Sequence, residues 1–288
     1  MSFVQTLKRV LPRRVTRKLG DVRRRVQSTS VRTRRQKERL ESDPSLEDRD
    51  RHLLRRVSSE IHHNDGMYKG DGRAYFSVGL SAIRCLDRAL DAAQLSGIQR
   101  VLDMPCGHGR VLRFMVHRFP QAKFVACDLD RGAVDYCVKT FAAQGAYSQP
   151  DLDRLTLPNH FDLIWCGSLI THLDAPRIVK LLFFFLRHLA PGGLLVFTTA
   201  GDQVLQWMTS GQFDYGIDEC KIPLICADYR AGGYGYIDYP YIADYGISLT
   251  SPEWVRTKVH EIGSLREVSF EPHGWDNHQD VFGFVRKQ

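Results

Sequence analysis

The stretch "VLDMPCGHGR", residues Val101–Arg110, decides the fold of this chain. Its apolar start is typical of a buried strand, and the strand pattern ends at Asp103. Gly107 and Gly109 follow, and glycines directly after a strand let the backbone approach a ligand closely. Ligands of parallel α/β sheets bind beyond the carboxyl ends of the strands. The stretch therefore predicts a nucleotide-like ligand beside a first strand.

Strand and helix patterns alternate around this stretch. Short apolar runs such as "KFVACD", "FDLIWCG" and "LLVFTT" predict further strands, and segments with helical spacing separate them. Such connections form right-handed crossovers between parallel strands and cover both faces of the sheet with helices. The alternation predicts an α/β fold with a doubly wound, mostly parallel sheet.

The glycine pattern differs from the dinucleotide-binding fingerprint. G-x-G-x-x-G requires a third glycine, which permits close packing of helix against strand, at the position that Leu112 occupies. Its absence argues against NAD or FAD. The ligand must therefore be inferred from the rest of the chain.

Four segments together resemble a known family. "VLDMPCGHGR", "KFVACDLD", "FDLIWCGSLITHL" and "LAPGGLLVFTT" are similar, in order and spacing, to the class I S-adenosylmethionine-dependent methyltransferases across residues 98–200. The third segment and the closing "HGWDNHQDVFGF" also resemble bacterial members associated with glycan modification. The resemblance implies a seven-stranded, mostly parallel, doubly wound Rossmann-like sheet with an antiparallel terminal strand. It also implies S-adenosyl-L-methionine as cofactor.

The resemblance assigns cofactor-binding roles to the ends of the first strands. Asp103 would shape the pocket for the methionine end, and Asp128, ending the second strand, would accept hydrogen bonds from both ribose hydroxyls. The alternative for Asp128 is a helix N-cap, for which Asp130 is better placed. The predicted cofactor-binding residues, without a metal, are Asp103, Cys106, Gly107, Gly109, Asp128, Leu129, Ser148, Cys166 and Gly167.

Three histidines are candidates for a general base. In the family the turn between the sixth and seventh strands lies on the cofactor side, which would bring His273 and His278 of "HGWDNHQ" to the catalytic rim. His172 follows the fourth strand, and its alternative role is to shape the cofactor pocket. We rank His273 and His278 ahead of His172. Cys166 is expected to be a buried thiol rather than a nucleophile.

The segment at about 202–250 is predicted to be a tyrosine-rich insertion over the same rim. Tyrosines beside glycines suit flat, hydroxylated ligands, which they contact through ring faces and hydroxyl groups. A structural lid or a dimer contact is the alternative. The predicted substrate-binding residues of the insertion and the terminal turn are Tyr234, Tyr236, Tyr241, Trp275 and Asp276.

The segment after the fourth strand favours O-methylation. The acidic-Pro-Pro-aromatic signature of amino-group methylation on nucleobases is missing there, and "CGSL" stands in its place. A hydroxyl acceptor needs a base, which the rim histidines would supply. The resemblance indicates a sugar, glycan or lipid-linked glycan as the acceptor. The alternatives are a methyltransferase for RNA or another small molecule, and a non-catalytic cofactor-binding protein.

The net charge of +7 comes from the start of the chain. Residues 1–40 contain fourteen basic and two acidic side chains, so the remaining residues carry a net charge of −5. Apolar residues three or four apart predict a basic amphipathic arm, with a linker up to residue 60 and the methyltransferase domain at 61–288. The apolar stripe favours an anionic membrane surface over nucleic acid as the partner of residues 1–40. An organellar transit peptide and an unstructured tail are further alternatives.

Composition and cysteine usage indicate a cytoplasmic protein. No apolar run is long enough to predict a transmembrane helix, and no hydrophobic secretory signal opens the chain. The seven cysteines form no C-x-x-C pair, which predicts reduced and mostly buried thiols. The expected location is the cytoplasm, where the arm would hold the protein at the inner face of the membrane.

Overall fold

The computed structural model describes residues 30–157, 160–240 and 242–288. Residues 30–41 are helical and are called α1. The other described α-helices are α2 (Asp48–Arg56), α3 (Gly72–Ala93), α4 (Leu112–Arg118), α5 (Arg131–Phe141), α6 (Ala175–His188), α7 (Asp202–Thr209), α8 (Ile222–Gly232) and α9 (Pro252–Ile262). Within the described ranges, no helix is long and apolar enough to cross a membrane.

Most of the strands belong to one sheet. The described strands are β1 (Arg100–Asp103), β2 (Lys123–Asp128), β3 (Gln144–Tyr147), β4 (Phe161–Cys166), β5 (Leu189–Thr199), β6 (Tyr234–Asp238), β7 (Gly246–Thr250), β8 (Leu265–Trp275) and β9 (Gln279–Arg286). Seven of them form a sheet in the order β3-β2-β1-β4-β5-β9-β8, and β6 and β7 form an antiparallel pair. In the seven-stranded sheet β9 alone runs in the direction opposite to the other six strands, which confirms the predicted fold class.

The last hairpin places its turn at the functional edge of the sheet. Thr199, at the end of β5, pairs with Asp280 near the start of β9. Trp275 pairs with Gln279 across the turn. The turn residues therefore lie at the carboxyl ends of the parallel strands, as the topology of the family predicted.

Packing on both faces of the sheet fixes this edge. On one face, the rings of Phe197, Phe282 and Phe284 stack on one another in the core that α6 and α9 cover. On the other face, a β-carbon at Gly283 would lie 2.3 Å from the hydroxyl oxygen of Ser269 and 3.3 Å from Cβ of Ala89 on α3, so glycine lets this helix lie close to the sheet. The strand ends are therefore held by a rigid core, as a precise site requires.

The insertion after β5 has a small core of its own. It runs through α7, a short 3-10 turn at Glu219–Lys221, α8 and the β6–β7 pair. Val204, Ile225 and Leu249 are completely buried in this core. Because α7 begins at Asp202, shortly after β5 ends, the insertion starts at the carboxyl edge of the main sheet.

The chain divides into two compact units after Phe76. In the described part of the first unit, Leu40, Leu53 and Leu54 are buried. The charged segment that the sequence indicated to be a linker with fragments of helix therefore contains packed helices. Residues 1–29 of the predicted arm lie outside the described residues, and the domain boundary after residue 60 stays a prediction.

Candidate active site

The loop after β1 turns sharply at two glycines. Gly107 and Gly109 have φ angles of +48° and +74°, a region that favours glycine. A β-carbon at Gly109 would lie 2.4 Å from the ring of Phe141, whereas one at Gly107 would meet nothing within 4 Å. The loop is therefore packed behind Gly109 and open at Gly107, where a ligand can approach the backbone.

Asp128 joins this loop to the end of β2. Its Oδ2 accepts a hydrogen bond from the N–H of Gly107 at 2.8 Å, and its Oδ1 accepts one from the N–H of Asp130 at 2.9 Å. A carboxylate offers about four acceptor positions, so each oxygen keeps room for another donor. Leu129 beside it is 60% exposed, and the N–H of Ser148 donates to the Asp128 carbonyl at 2.8 Å. A fixed carboxylate next to an exposed apolar side chain suits a nucleoside.

Asp130, by contrast, has the capping role. Its carboxylate accepts hydrogen bonds from the N–H groups of Gly132 and Ala133 at the start of α5, at 2.9 and 3.2 Å. The prediction that Asp130 rather than Asp128 caps this helix is confirmed.

Asp103 is a buried carboxyl group that lacks a partner. Its side chain is 1% exposed, and Oδ2 has no hydrogen bond. Burial, and then the negative charge of Asp128, raise the pKa of Asp103 well above its ordinary value. Burial of an unpaired carboxylate is costly, and a cationic ligand offsets that cost. S-adenosylmethionine carries both an ammonium and a sulfonium, so the residues at this edge fit the cofactor.

The cysteines near the site are buried thiols. A hydrogen bond with Cys137, together with burial, raises the pKa of Cys106, and burial raises the pKa of Cys166. Thiols held in the neutral form are poor nucleophiles, as was expected for Cys166. All seven cysteines are free and six are buried, which confirms the predicted reduced, mostly buried thiols.

The post-β4 segment, residues 168–172, is tied to β5 and to the β8–β9 turn. The N–H of Ser168 donates to Oγ1 of Thr198 at 2.8 Å. The hydroxyl of Thr198 donates to Oε1 of Gln279 at 2.6 Å, and Nε2 of Gln279 donates to the hydroxyl of Ser168 at 3.0 Å. This ring of hydrogen bonds holds the ends of three strands together at the carboxyl edge.

His172 ends the post-β4 segment and contacts a backbone carbonyl. Its Nδ1 lies 2.9 Å from the carbonyl oxygen of Gly246, which can only accept, so this contact favours the hydrogen on Nδ1 and leaves Nε2 as the acceptor. Tyr239 Oη lies 3.0 Å from the same Nδ1, and the ring of Tyr245 stacks on the imidazole with centroids 4.8 Å apart. Burial, and then the charge of Asp128, raise the pKa of Tyr245, so Tyr245 lies within electrostatic reach of Asp128.

His273 faces a buried carboxyl group. The backbone N–H of His273 donates a hydrogen bond to Oδ1 of Asp280 at 2.8 Å, and the ring Nδ1 of His273 lies 3.5 Å from the same oxygen. Asp280 is 3% exposed, and burial raises its pKa. His273 therefore lies beside a buried acid, and its role as the base stays a prediction.

His278 lies in an aromatic environment. Its Nε2 is 3.0 Å from Oη of Tyr215, and its ring packs on Trp207 with centroids 4.9 Å apart. Burial lowers the pKa of His278. Asp276, earlier in the same turn, is exposed and is anchored through its N–H to the hydroxyl of Ser81 at 2.9 Å.

Trp275 is a packed residue rather than an exposed contact surface. It is 4% exposed, its Nε1 donates to the carbonyl of Val78 at 3.0 Å, and its ring meets Trp165 edge-on at 5.4 Å. A β-carbon at Gly167 would lie 3.0 Å from both indoles. Trp275 and Gly167 therefore form the wall behind the post-β4 segment, and the predicted substrate contact of Trp275 stays a prediction.

The tyrosines beside His172 are not the ones that the sequence singled out. Tyr234 stacks on Trp254 of α9 at 4.7 Å, and Tyr236 donates to Asp238 at 2.6 Å. Tyr241 lies outside the described residues. Tyr239 and Tyr245, on either side of the β6–β7 connection, contact His172 instead, and Trp207 and Tyr215 contact His278.

Residues 101–193 match a family model described as a methyltransferase domain. These residues therefore carry a methyltransferase domain. An S-adenosylmethionine-dependent methyltransferase from Clostridium acetobutylicum superposes with a TM-score of 0.51 at 14% identity, over 74% of this chain and 92% of that chain. The amino pentose methyltransferase CalS10 from Micromonospora echinaspora, solved with bound S-adenosylmethionine, superposes with a TM-score of 0.51 at 17% identity. The match covers 78% of this chain and 100% of that chain.

A curated relative matches part of this methyltransferase domain. The malonyl-[acyl-carrier protein] O-methyltransferase of Bacillus cytotoxicus is 25% identical over 108 residues, which are 37% of this chain and 37% of the relative. The chain therefore spans well under two thirds of that relative. The family model ends at residue 193, so the insertion and the terminal turn must be interpreted from their own geometry.

Replacement of Asp103 by asparagine is expected to make the stability of the methyltransferase domain less dependent on pH. Folding raises the pKa of Asp103 above the value of about 4 that an Asp side chain has in the unfolded chain. The free energy of unfolding of the wild type therefore falls as the pH rises above about 4, by up to ~1.4 kcal/mol per pH unit. Asparagine cannot ionise, so the difference in stability between Asp103→Asn and wild type should grow with pH. Thermal unfolding from pH 4 to 8 measures it.

The matched control is Asp91→Asn, which changes an exposed carboxyl group on α3. A stability difference for Asp103→Asn that stays constant with pH would contradict the interpretation of Asp103 as a costly buried acid. The same variant should bind S-adenosylhomocysteine roughly tenfold more weakly, because a charged partner of the cofactor's ammonium is lost.

Proposed function

We propose that this protein methylates a hydroxyl group on a sugar, glycan or lipid-linked glycan. The observation that carries the proposal is the contact of His172 Nδ1 with the Gly246 carbonyl, because it leaves Nε2 as a proton acceptor at the end of the post-β4 segment. A hydroxyl is a poor nucleophile until its proton is removed, whereas an amine needs less help. The curated relative is named an O-methyltransferase, and CalS10 is named an amino pentose methyltransferase, which agrees with oxygen and sugar chemistry.

The cofactor is held by residues that take no part in proton transfer. When bound, S-adenosylmethionine supplies a methyl group that is already activated. Asp128 would accept hydrogen bonds from its ribose, Asp103 would face its cationic end, and the open backbone at Gly107 would lie against it. Correct alignment of two reactants contributes on the order of 7–11 kcal/mol, so orientation is the main task of these residues.

His172 performs the proton transfer in this proposal. Nε2 of His172 would take the proton of the acceptor hydroxyl, and Nδ1 would keep its hydrogen on the Gly246 carbonyl. The cofactor would supply the methyl group by breaking its bond to sulfur and would leave as S-adenosylhomocysteine. Burial, the larger influence, lowers the pKa of His172, so the imidazole is neutral at pH 7 and ready to accept. The proton then leaves to solvent.

The geometry changes the predicted order of the three histidines. His278 Nε2 is engaged by the hydroxyl of Tyr215 within an aromatic cluster, and His273 faces the carboxyl group of Asp280. His172 belongs to the segment that directly follows β4 and is stacked on Tyr245 near Asp128. We therefore propose His172 as the base ahead of His273 and His278.

Methyl transfer to a mixed acceptor panel tests the proposed function. The full-length protein is incubated with methyl-labelled S-adenosylmethionine and with oligosaccharides, lipid-linked sugars, carboxylic acids or RNA, and mass spectrometry locates the added methyl group. A methyl ether on a sugar hydroxyl supports the proposal. Transfer to a carboxylate, an amine or RNA, with no sugar product, would overturn it.

We also propose that the basic arm binds an anionic membrane surface. Helix α1 contains buried Thr33, Lys37 and Leu40, so the informative deletion is residues 1–29, which removes nine basic side chains and one acid. The net charge then changes from +7 to −1. Co-sedimentation with phosphatidylserine vesicles should fall several-fold, and added salt should produce the same loss in the full chain.

Neutral phosphatidylcholine vesicles are the control for this prediction, since they lack the surface potential that attracts Lys and Arg. If the shortened chain sediments with anionic vesicles as well as the full chain does, the proposed partner is wrong. Binding to RNA that disappears with the same deletion would favour nucleic acid instead.

A further inference from the structure

Four aromatic side chains form a cluster next to the post-β4 segment. Trp207 of α7 lies 4.9 Å from His278 and 5.3 Å from Phe213, measured between ring centroids. Tyr215 lies 5.8 Å from His278 and 5.9 Å from Phe213. The four rings, called the aromatic platform below, come from the insertion and the β8–β9 turn. Phe213 is 49% exposed and Trp207 is half-buried, so the platform reaches the surface.

The platform is continuous with the proposed catalytic residues. His278 directly precedes Gln279, whose Nε2 donates to the hydroxyl of Ser168 at 3.0 Å. On the other side, Gly216 lies against Tyr239, since a β-carbon there would be 3.7 Å from the ring. Tyr239 in turn contacts His172. The platform is thus linked to the proposed base through Gly216, which follows Tyr215 in the chain, and through Tyr239.

The platform combines apolar faces with uncharged polar atoms. Tyr215 Oη and His278 Nε2 lie 3.0 Å apart, and the amide of Gln279 is next in the chain. Burial raises the pKa of Tyr215 and lowers the pKa of His278, so both side chains are neutral near pH 7. Tyr215 holds a φ of +54°, which is uncommon for an aromatic residue, and this conformation aims its hydroxyl at His278.

Ring faces beside neutral donors and acceptors match the chemistry of a pyranose. A pyranose presents C–H groups on one face, which pack on aromatic rings, and hydroxyl groups around its edge, which hydrogen-bond to polar tips. An acyl chain would offer nothing to the hydrogen-bonding positions that remain on the Tyr215 hydroxyl and the His278 ring after these two groups bond to each other, which is unfavourable. A flat aromatic acceptor would leave the same groups unmatched.

We propose that the aromatic platform of Trp207, Phe213, Tyr215 and His278 binds one face of a pyranose ring of the acceptor and directs the chain of sugars toward His172. This proposal rests on the proposed function, which it deepens by naming where the sugar binds. Trp207 supplies the largest ring and is therefore the residue with the largest expected effect.

Saturation-transfer NMR tests the platform without any turnover. The full-length protein is mixed with methyl pyranosides of glucose, galactose, mannose and rhamnose, and with benzyl alcohol and octyl alcohol. We expect at least one pyranoside to bind, with the strongest saturation on the C–H protons of one ring face. Trp207→Ala should weaken that binding about tenfold, and Trp207→Phe should retain most of it.

The matched control is Trp254→Ala, which removes another half-buried indole, stacked on Tyr234. The proposal would be overturned by any of three results: no pyranoside binds, Trp207→Ala binds the pyranosides as well as wild type does, or only the two alcohols bind. Calorimetry with S-adenosylhomocysteine checks that Trp207→Ala is folded, since its cofactor affinity should be unchanged.

Failure of the platform is distinguishable from failure of the proposed function. In the methyl-transfer assay, Trp207→Ala should raise KM for a sugar acceptor about tenfold and leave kcat within about twofold, because it changes binding and not proton transfer. Sugar methylation with an unchanged KM would reject the platform and retain the function. Pyranoside binding at Trp207 with methyl transfer only to non-sugar acceptors would reject the function.

Discussion

Replacement of His172 by glutamine is expected to slow methyl transfer by about 10²–10⁴-fold, the usual contribution of a general base. Glutamine preserves a hydrogen-bonding side chain of similar reach but cannot take up a proton. The affinity for S-adenosylhomocysteine should stay within about twofold of wild type, because the proposed cofactor-binding residues are Asp103, Asp128 and those of the glycine loop. Turnover under saturating cofactor and calorimetry together measure the two effects.

The pH profile separates a base from a packing residue. Wild-type activity should fall on the acid side as His172 becomes protonated. Because burial lowers the pKa of His172, the midpoint of that limb should lie below the ordinary histidine value of about 6.5. His172→Gln should lose this limb, whereas a variant that merely loosened the segment would keep it.

His273→Gln and His278→Gln are the matched controls for this result. Each removes an imidazole from the same rim, and neither should abolish the acid limb. If His172→Gln retained turnover and one of the controls lost it, the order predicted from sequence would be the right one. Normal turnover in all three variants would mean that no imidazole is the base.

The sequence was sufficient where a role depends on neighbours in the chain. Asp130 caps α5 because it stands two residues before Gly132, and this spacing alone identified it. The position of the "HGWDNHQ" turn followed from topology, since a strand parallel to the others must end at the same edge as they do. Local chemistry and strand direction therefore predicted the fold, the α5 cap and the position of this turn.

The acceptor side could not be predicted in the same way, because its contacts join distant parts of the chain. Trp207 occupies an amphipathic helix, where an aromatic residue is usually part of the core. The partner of His172 is a backbone carbonyl at Gly246, and a carbonyl has no sequence signature. The number of tyrosines indicated an aromatic insertion, but the bend of the β6–β7 connection decides that Tyr239 and Tyr245, rather than Tyr234 and Tyr236, reach His172.

Replacement of Asp128 by asparagine is expected to weaken cofactor binding by about 10²–10³-fold. Loss of the charge weakens two hydrogen bonds to the ribose, and a hydrogen bond to a charged group contributes roughly 1.5–3 kcal/mol. Asp128 also orders the loop through Gly107 and the chain through Asp130, so a bare loss of affinity would have two explanations. Calorimetry with S-adenosylhomocysteine measures the loss, and Asp130→Asn, which weakens the α5 cap, is the control.

A cycle that changes both protein and ligand distinguishes the two explanations. Wild type should bind a 2′-deoxy or 3′-deoxy form of S-adenosylhomocysteine at least tenfold more weakly than the complete ligand, because one partner of the carboxylate is removed. Asp128→Asn should bind the complete and deoxy ligands with nearly equal affinity, since the interaction is already lost. If both proteins lost the same factor on removal of the hydroxyl, Asp128 would act through the glycine loop alone. The ribose would then be held by another group at the carboxyl edge of the sheet.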